Sequence, residues 1–198
     1  VVVLSAMGDT TDHLLEAANI AVEGKVDISG VEKLHRETAD ILGIKIEAID
    51  SLLEELSQLL TGLSMLKELT KRTRDYLVSF GERMSVRMMA AYLQNQGIPA
   101  KFYDAWDIGM ISDSNFMSAE LLDEVWENIP KHLNDYKDGK TSEIPIVTGF
   151  IAKDKKGNML NEIVDDEIIN KVISKWSGIP LDKLKQSQID KLLHLEDE

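Results

Sequence analysis

YLVSFGERMSVRMMAAYLQNQGIPAKFYDAWDIG, residues Tyr76 to Gly109, begins as a helix and ends as a strand and loop. Leu77, Phe80, Met84, Met88 and Ala91 recur at spacings of three and four, one apolar helical stripe. Gly97 and Pro99 stop the helix, and Lys101 to Asp104 reads as a short strand. The unusual element is Ser79-Phe80-Gly81-Glu82, a glycine and an acid in what reads as the first turn of an apolar helix. Glu82 lies about two residues off the stripe. Its carboxylate therefore either points into a cleft or complements the helix dipole, and spacing alone leaves both open.

Working outward, Val1 to Ser5 is apolar and β-branched, the pattern of a buried parallel strand. Ala6 to Asp12 is a small-residue loop rich in hydroxyls, leading into a helix at about His13 to Val22. That order places amide and hydroxyl donors at a helix start, where anions bind; a plain N-cap by Thr11 or Asp12 is the alternative. A helix of moderate quality follows over Val31 to Leu42. Ile49, Leu52, Leu53, Leu56, Leu59, Leu60, Leu63 and Leu66 mark a long amphipathic helix, with Gly62 as a candidate break. Its leucines read as core rather than coiled coil, because they span too few heptads.

Beyond Gly109, Ser118 reads as the N-cap of a helix through Leu121, Leu122, Val125 and Ile129, which Pro130 ends or restarts. Ile144 to Thr148 is another buried strand, and Asp154 to Asn158 a hairpin tip. The order strand–helices–strand–helix–strand implies an α/β fold, a parallel sheet with helices on both faces. Residues 159–198 show no convincing strand and read as a short helical C-terminal tail.

The 198 residues carry a net charge of −13, no cysteine and four histidines. The acidity argues against nucleic acid and against an anionic membrane surface, and no apolar run reaches membrane-spanning length. Without cysteine there is no disulfide or thiolate chemistry. The histidines (His13, His35, His132, His194) have no metal-ligand spacing and read as surface or boundary residues, so no metal site is expected. The reading is of a soluble intracellular chain, cytoplasmic or plastid. The apolar start without Met suggests that the chain has lost its beginning.

Three ordered motifs carry a family resemblance: VVVLSAMGDTTD (Val1 to Asp12), the SFGERMS core, and PIVTGF (Pro145 to Phe150). Together they resemble aspartate kinase, of the amino-acid kinase fold, over residues 1–158. YDAWDIGMISDSNF and KELTKRTRDYLVSFGE look most like the plant and algal single-activity type. The resemblance implies transfer of the γ-phosphoryl of ATP, with Mg²⁺, to the side-chain carboxylate of L-aspartate. It matches Thr11 to a hydroxyl holding aspartate and Glu82 to the acid pairing with its ammonium. It also matches Ser5 to a motif position at the cleft, and Val78 and Phe150 to substrate-lining positions. The family's Lys-x-Gly-Gly strand and Gly-Arg-Gly-Gly-Ser-Asp segment have no counterpart here. Catalytic residues therefore stay unassigned, and weak or no turnover is expected of this chain alone.

Residues 165–198, DDEIINKVISKWSGIPLDKLKQSQIDKLLHLEDE, are similar to the segment before the second ATPase module of Clp-type disaggregases. That resemblance would place Gly178, Ile179 and Pro180 beside a nucleotide. Two alternatives to a kinase follow: a fragment of a Clp-type AAA+ chaperone, and a non-catalytic aspartate-binding remnant. The join falls near Gly157 to Glu162. Oligomeric state stays open, and the leucine faces of the tail leave room for a homo-oligomer.

Overall fold

The computed structural model describes residues 1–116, 118–149, 151–157 and 159–161. The chain divides into two units, Val1–Glu162 and Ile163–Glu198; only the first is described. Phe150 and residues 162–198, which hold most of the tail expected to be helical together with Gly178, Ile179 and Pro180, lie outside the described residues.

Strand β1 (Val2–Leu4) leads into helix α1 (Thr10–Val22), then α2 (Ser29–Leu42), α3 (Asp50–Leu66) and α4 (Lys71–Asn95). Strand β2 (Ala100–Tyr103), a 3₁₀ turn (Ala105–Ile108) and β3 (Ile111–Ser112) follow, then α5 (Val125–His132), α6 (Asn134–Lys137), β4 (Ile144–Thr148), β5 (Ile151–Asp154) and β6 (Met159–Asn161). The first sheet has the order β1–β4–β2, all parallel. On one face Val86 and Ala90 of α4 pack on Ala100 and Ile146. On the other, Ile129 of α5 and Ile108 of the 3₁₀ turn pack around Val147. Helices on both faces of a parallel sheet are what the alternation of elements implies.

The largest core is helical. Leu14, Leu52, Leu56, Leu60, Leu77, Phe80 and Met84 are buried together, each contributing about 1.5–3 kcal/mol of transfer free energy. The α3 leucines are thus core, and Gly62 interrupts nothing, because α3 runs unbroken to Leu66.

Several expectations are corrected. α4 begins at Lys71, where Thr70 caps it by accepting from the Thr73 amide at 3.1 Å. Glu82 therefore sits three turns inside the helix, beyond the reach of the N-terminal dipole, and the dipole reading falls. Strand β1 is parallel as expected but not buried: Val2 is 37% and Val3 63% exposed, because among the described residues β1 is an edge strand. Ser118 starts no helix. The amide of Asp113 donates to the Glu120 carbonyl and that of Leu122 to the Ile111 carbonyl, so segment 118–122 lies against β3, and α5 starts only at Val125. Pro130 lies inside α5 and does not end it.

Met159–Asn161 is a strand after all. It pairs antiparallel with β5, closing the hairpin, and β3 pairs parallel on the other side of β5. His35 is not a boundary residue: it is fully buried in α2, its Nδ1–H donating to the Val31 carbonyl at 2.8 Å.

Candidate active site

In open parallel sheets, ligands bind beyond the carboxyl ends of the strands. Here that edge gathers the residues after β1, the middle of α4 and the residues after β2. The Gly149 amide donates to the Leu4 carbonyl at 2.8 Å, tying the ends of β4 and β1 together. Thr148 Oγ1 accepts from the Ala105 amide at 2.8 Å, tying β4 to the turn after β2.

Gly81 allows the approach of α4 to the loop after β1. A Cβ at that position would stand 2.7 Å from the Ala6 Cβ and 3.5 Å from Thr10 Cγ2. Glycine inside a helix costs about 1 kcal/mol relative to alanine; here the missing side chain is what lets the loop and helix meet.

Glu82 is 8% exposed. Burial raises its pKa above the ordinary carboxylate value, since a charged carboxylate loses water there. Hydrogen bonding from backbone amides, that of Ala6 among them, and from the Ser5 side chain opposes the shift in part. No Lys, Arg or His forms an ion pair with Glu82 among the described residues. The site is thus a desolvated carboxylate held by neutral donors, suited to a cationic group of a ligand.

The structure brings Ser5 and Glu82 together and leaves Ser5 exposed. Val78 is half-buried on α4, one turn before Glu82 and on the same face. Thr11 is half-buried in the first turn of α1. It is not the N-cap, which is Asp9. Thr10 beside it is fully buried and donates its hydroxyl to the Met7 carbonyl, bracing the loop.

Sequence reasoning missed a second cluster. Arg87 grips Asp104 with two hydrogen bonds, Nη1–Oδ1 at 2.9 Å and Nη2–Oδ2 at 3.1 Å. Arg83 reaches Glu55 at 3.1 Å, and Tyr76 donates to the other Glu55 oxygen. The signal was present in part, as two arginines four residues apart beside the apolar stripe of the helix. Their acids come from α3 and the end of β2, which no local pattern pairs. Asp107 nearby has a pKa raised by burial and by Asp104, with Lys153 opposing. Lys153 Nζ lies 4.2 Å from the Trp106 ring centroid. No group of three His, Asp or Glu side chains converges as a metal-ligand set among the described residues.

A parallel sheet with helices on both faces and a buried acid at its carboxyl edge defines the class. Residues 1–169 match the amino acid kinase family, and the chain belongs to that family. Within it, the chain is 45% identical over 161 residues to aspartokinase 2, chloroplastic, of Arabidopsis thaliana, covering 77% of this chain and 29% of that protein. It thus spans less than a third of that relative's length. The structure is similar to that of Escherichia coli aspartokinase III in complex with aspartate and ADP, with a TM-score of 0.56 and 22% identity, over 80% of this chain and 36% of that one. A chaperone protein ClpB of Clostridium tetani is 39% identical over 89 residues, 39% of this chain and 10% of that protein.

Proposed function

We propose that residues 1–158 form the amino-acid-binding side of an aspartate kinase. Such an enzyme transfers the γ-phosphoryl of ATP, accompanied by Mg²⁺, to the side-chain carboxylate of L-aspartate and forms 4-phospho-L-aspartate. The observation that carries this reading is Glu82: buried, held by neutral donors and without a cationic partner among the described residues. The α-ammonium of L-aspartate supplies that cation, and the charge-assisted pair is strong where water is excluded.

In this reading Ser5 and the Ala6 amide orient the Glu82 carboxylate. Thr11 offers a hydroxyl to the substrate, and Val78 and Phe150 line its carbon chain. Phosphoryl transfer itself needs little covalent help; it needs alignment and neutralisation of charge on the transferring group. The residues doing so are not assigned, because the chain has neither a Lys-x-Gly-Gly nor a Gly-Arg-Gly-Gly sequence. The compartment proposed is the plastid, as the name of the Arabidopsis relative suggests.

Titration calorimetry with L-aspartate tests the reading. Binding weakened about tenfold or more by Glu82→Gln supports it; equal affinity in both removes Glu82 from the site. A second reading concerns residues 159–198, proposed as a separate segment of Clp-type origin with Gly178, Ile179 and Pro180 beside a nucleotide, and is favoured by the ClpB similarity. ATP binding to a chain ending at residue 158 that equals binding to the full chain would sink it.

A further inference from the structure

Arg83 follows Glu82 in α4, so the two side chains leave the helix roughly 100° apart and meet different neighbours. Glu82 faces Ser5 and Ala6 beyond β1. Arg83 faces the other way along the same edge. Its Nη2 lies 3.1 Å from Glu55 Oε2 on α3 and its Nε 3.7 Å from Asp104 Oδ2 after β2. The guanidinium also lies 4.9 Å from the Phe80 ring centroid. With Arg87 on Asp104 and Tyr76 on Glu55, five side chains join into one line: Tyr76, Glu55, Arg83, Asp104, Arg87.

This line is a poor device for stability. Arg83 is buried, and its Nε and Nη1 have no hydrogen-bond acceptor among the described residues. Desolvating a guanidinium on such terms roughly cancels the attraction it gains. It is a good device for orientation. Helix α4 meets the β1 loop at Gly81, a contact with no directional bond, and through the hydrogen bonds of Glu82 to Ser5 and Ala6, so holding Glu82 in place also depends on groups elsewhere on the helix that set its rotation. The fork of Arg87 and the reach of Arg83 to two separate elements fix that rotation. A substrate-binding side chain must be held to within about 0.5 Å and 10–20° to work.

We propose that Arg83 is a positioning residue: by locking the rotation of α4 against Glu55 and Asp104, it aims the adjacent Glu82 at the α-ammonium of the substrate. This rests on Glu82 being the substrate-binding acid. The charge of Arg83 is taken up by its two acids, so its action on Glu82 is geometric.

The test uses Arg83→Lys in the full 198-residue chain, which keeps the charge and loses the fork. Calorimetry compares L-aspartate with succinate, which has the same two carboxylates and no ammonium. The expected result is about tenfold weaker L-aspartate binding with succinate binding unchanged. Combining Arg83→Lys with Glu82→Gln should then weaken binding no further than Glu82→Gln alone. Equal losses for both ligands, or losses that add, overturn the proposal.

A second readout needs no ligand: the titration of the Glu82 carboxyl followed by carbon NMR. In Arg83→Lys it should move above its wild-type position as the Ser5 and Ala6 hydrogen bonds loosen; an unmoved titration in a folded variant overturns the proposal. If the wild-type chain fails to bind L-aspartate while the titration moves, the positioning role stands and the aspartate reading falls. Should Arg83→Lys not fold, Asp104→Asn loosens the same line from outside α4 and is judged by the same outcomes.

Discussion

Gly81 and Ala6 meet so closely that a Cβ on the glycine would stand 2.7 Å from the alanine Cβ, nearer than real side chains approach. Two elements far apart in sequence, the loop after β1 and the middle of α4, are joined there. The next residue, Glu82, is the buried acid. Gly81→Ala should push the loop and helix apart and cost about 1–3 kcal/mol, the range for forced overpacking. Because the displaced loop carries Ser5 and Ala6, L-aspartate binding should weaken as well. Urea unfolding and calorimetry check the two effects; an alanine variant matching the wild type in both would show that the contact is easily relieved.

Asp104 sits between two guanidiniums, 2.9 Å from Arg87 and 3.7 Å from Arg83. Removing it leaves buried positive charge without its partner. Asp104→Ala should therefore destabilise the chain by about 3–5 kcal/mol, more than an ordinary surface substitution. Chemical denaturation measures this, and a loss below 1 kcal/mol would mean that water enters and solvates the arginines.

His35 gives stability a dependence on pH. Burial lowers its pKa below the ordinary 6.5, although the bond to the Val31 carbonyl opposes the shift. The folded chain thus binds the proton less readily than the unfolded chain. The contribution of His35 is complete above pH 6.5 and is lost as pH falls below it through the lowered folded value. Melting temperatures recorded from pH 7.5 down to 5 should fall in that window, and His35→Gln should flatten the fall.

Glu82 acts with the opposite sign. Its folded pKa is raised above 4.5 by burial, so its contribution to stability is present below that value and lost as pH rises through the folded one. At pH 7, above the ordinary carboxylate value, the buried acid is a burden on the fold. Glu82→Gln should accordingly melt at a higher temperature than the wild type at pH 7, the gain shrinking towards pH 4.5. A stabilised variant that binds less ligand is the signature of a site kept at the expense of stability. An equal or lower melting temperature at pH 7 would mean that the carboxylate is well compensated within the fold.

The sequence made the regular parts of this fold legible and left the joints obscure. The stripe from Leu77 to Met88 and the run Ile144 to Thr148 carry their own periodicity, so α4 and β4 fall where expected. The start of α4 does not, because Lys71 to Asp75 lies ahead of the apolar stripe and only the Thr70 cap shows it to be helix. The run 118–122 has helix-like composition, yet its backbone bonds to Asp113 and Ile111. Propensity cannot foresee a partner strand. Motifs singled out Glu82 and Ser5, and the structure adds their contact and the burial of Glu82. Arg83, Arg87, Asp104 and Glu55 stayed hidden because their pairing spans 17 to 28 residues of sequence.

The pH dependence of L-aspartate affinity tests the central claim most directly, namely that ionised Glu82 receives the α-ammonium. Between pH 7.5 and 5 the ligand's own carboxylates stay ionised and its ammonium protonated. Calorimetry across that range, set beside the Glu82 titration read by carbon NMR, should therefore show wild-type affinity falling in step with protonation of Glu82, whose pKa burial raises, while Glu82→Gln binds weakly and without that dependence. Wild-type affinity that does not follow the Glu82 titration, or the same dependence in Glu82→Gln, would contradict the account.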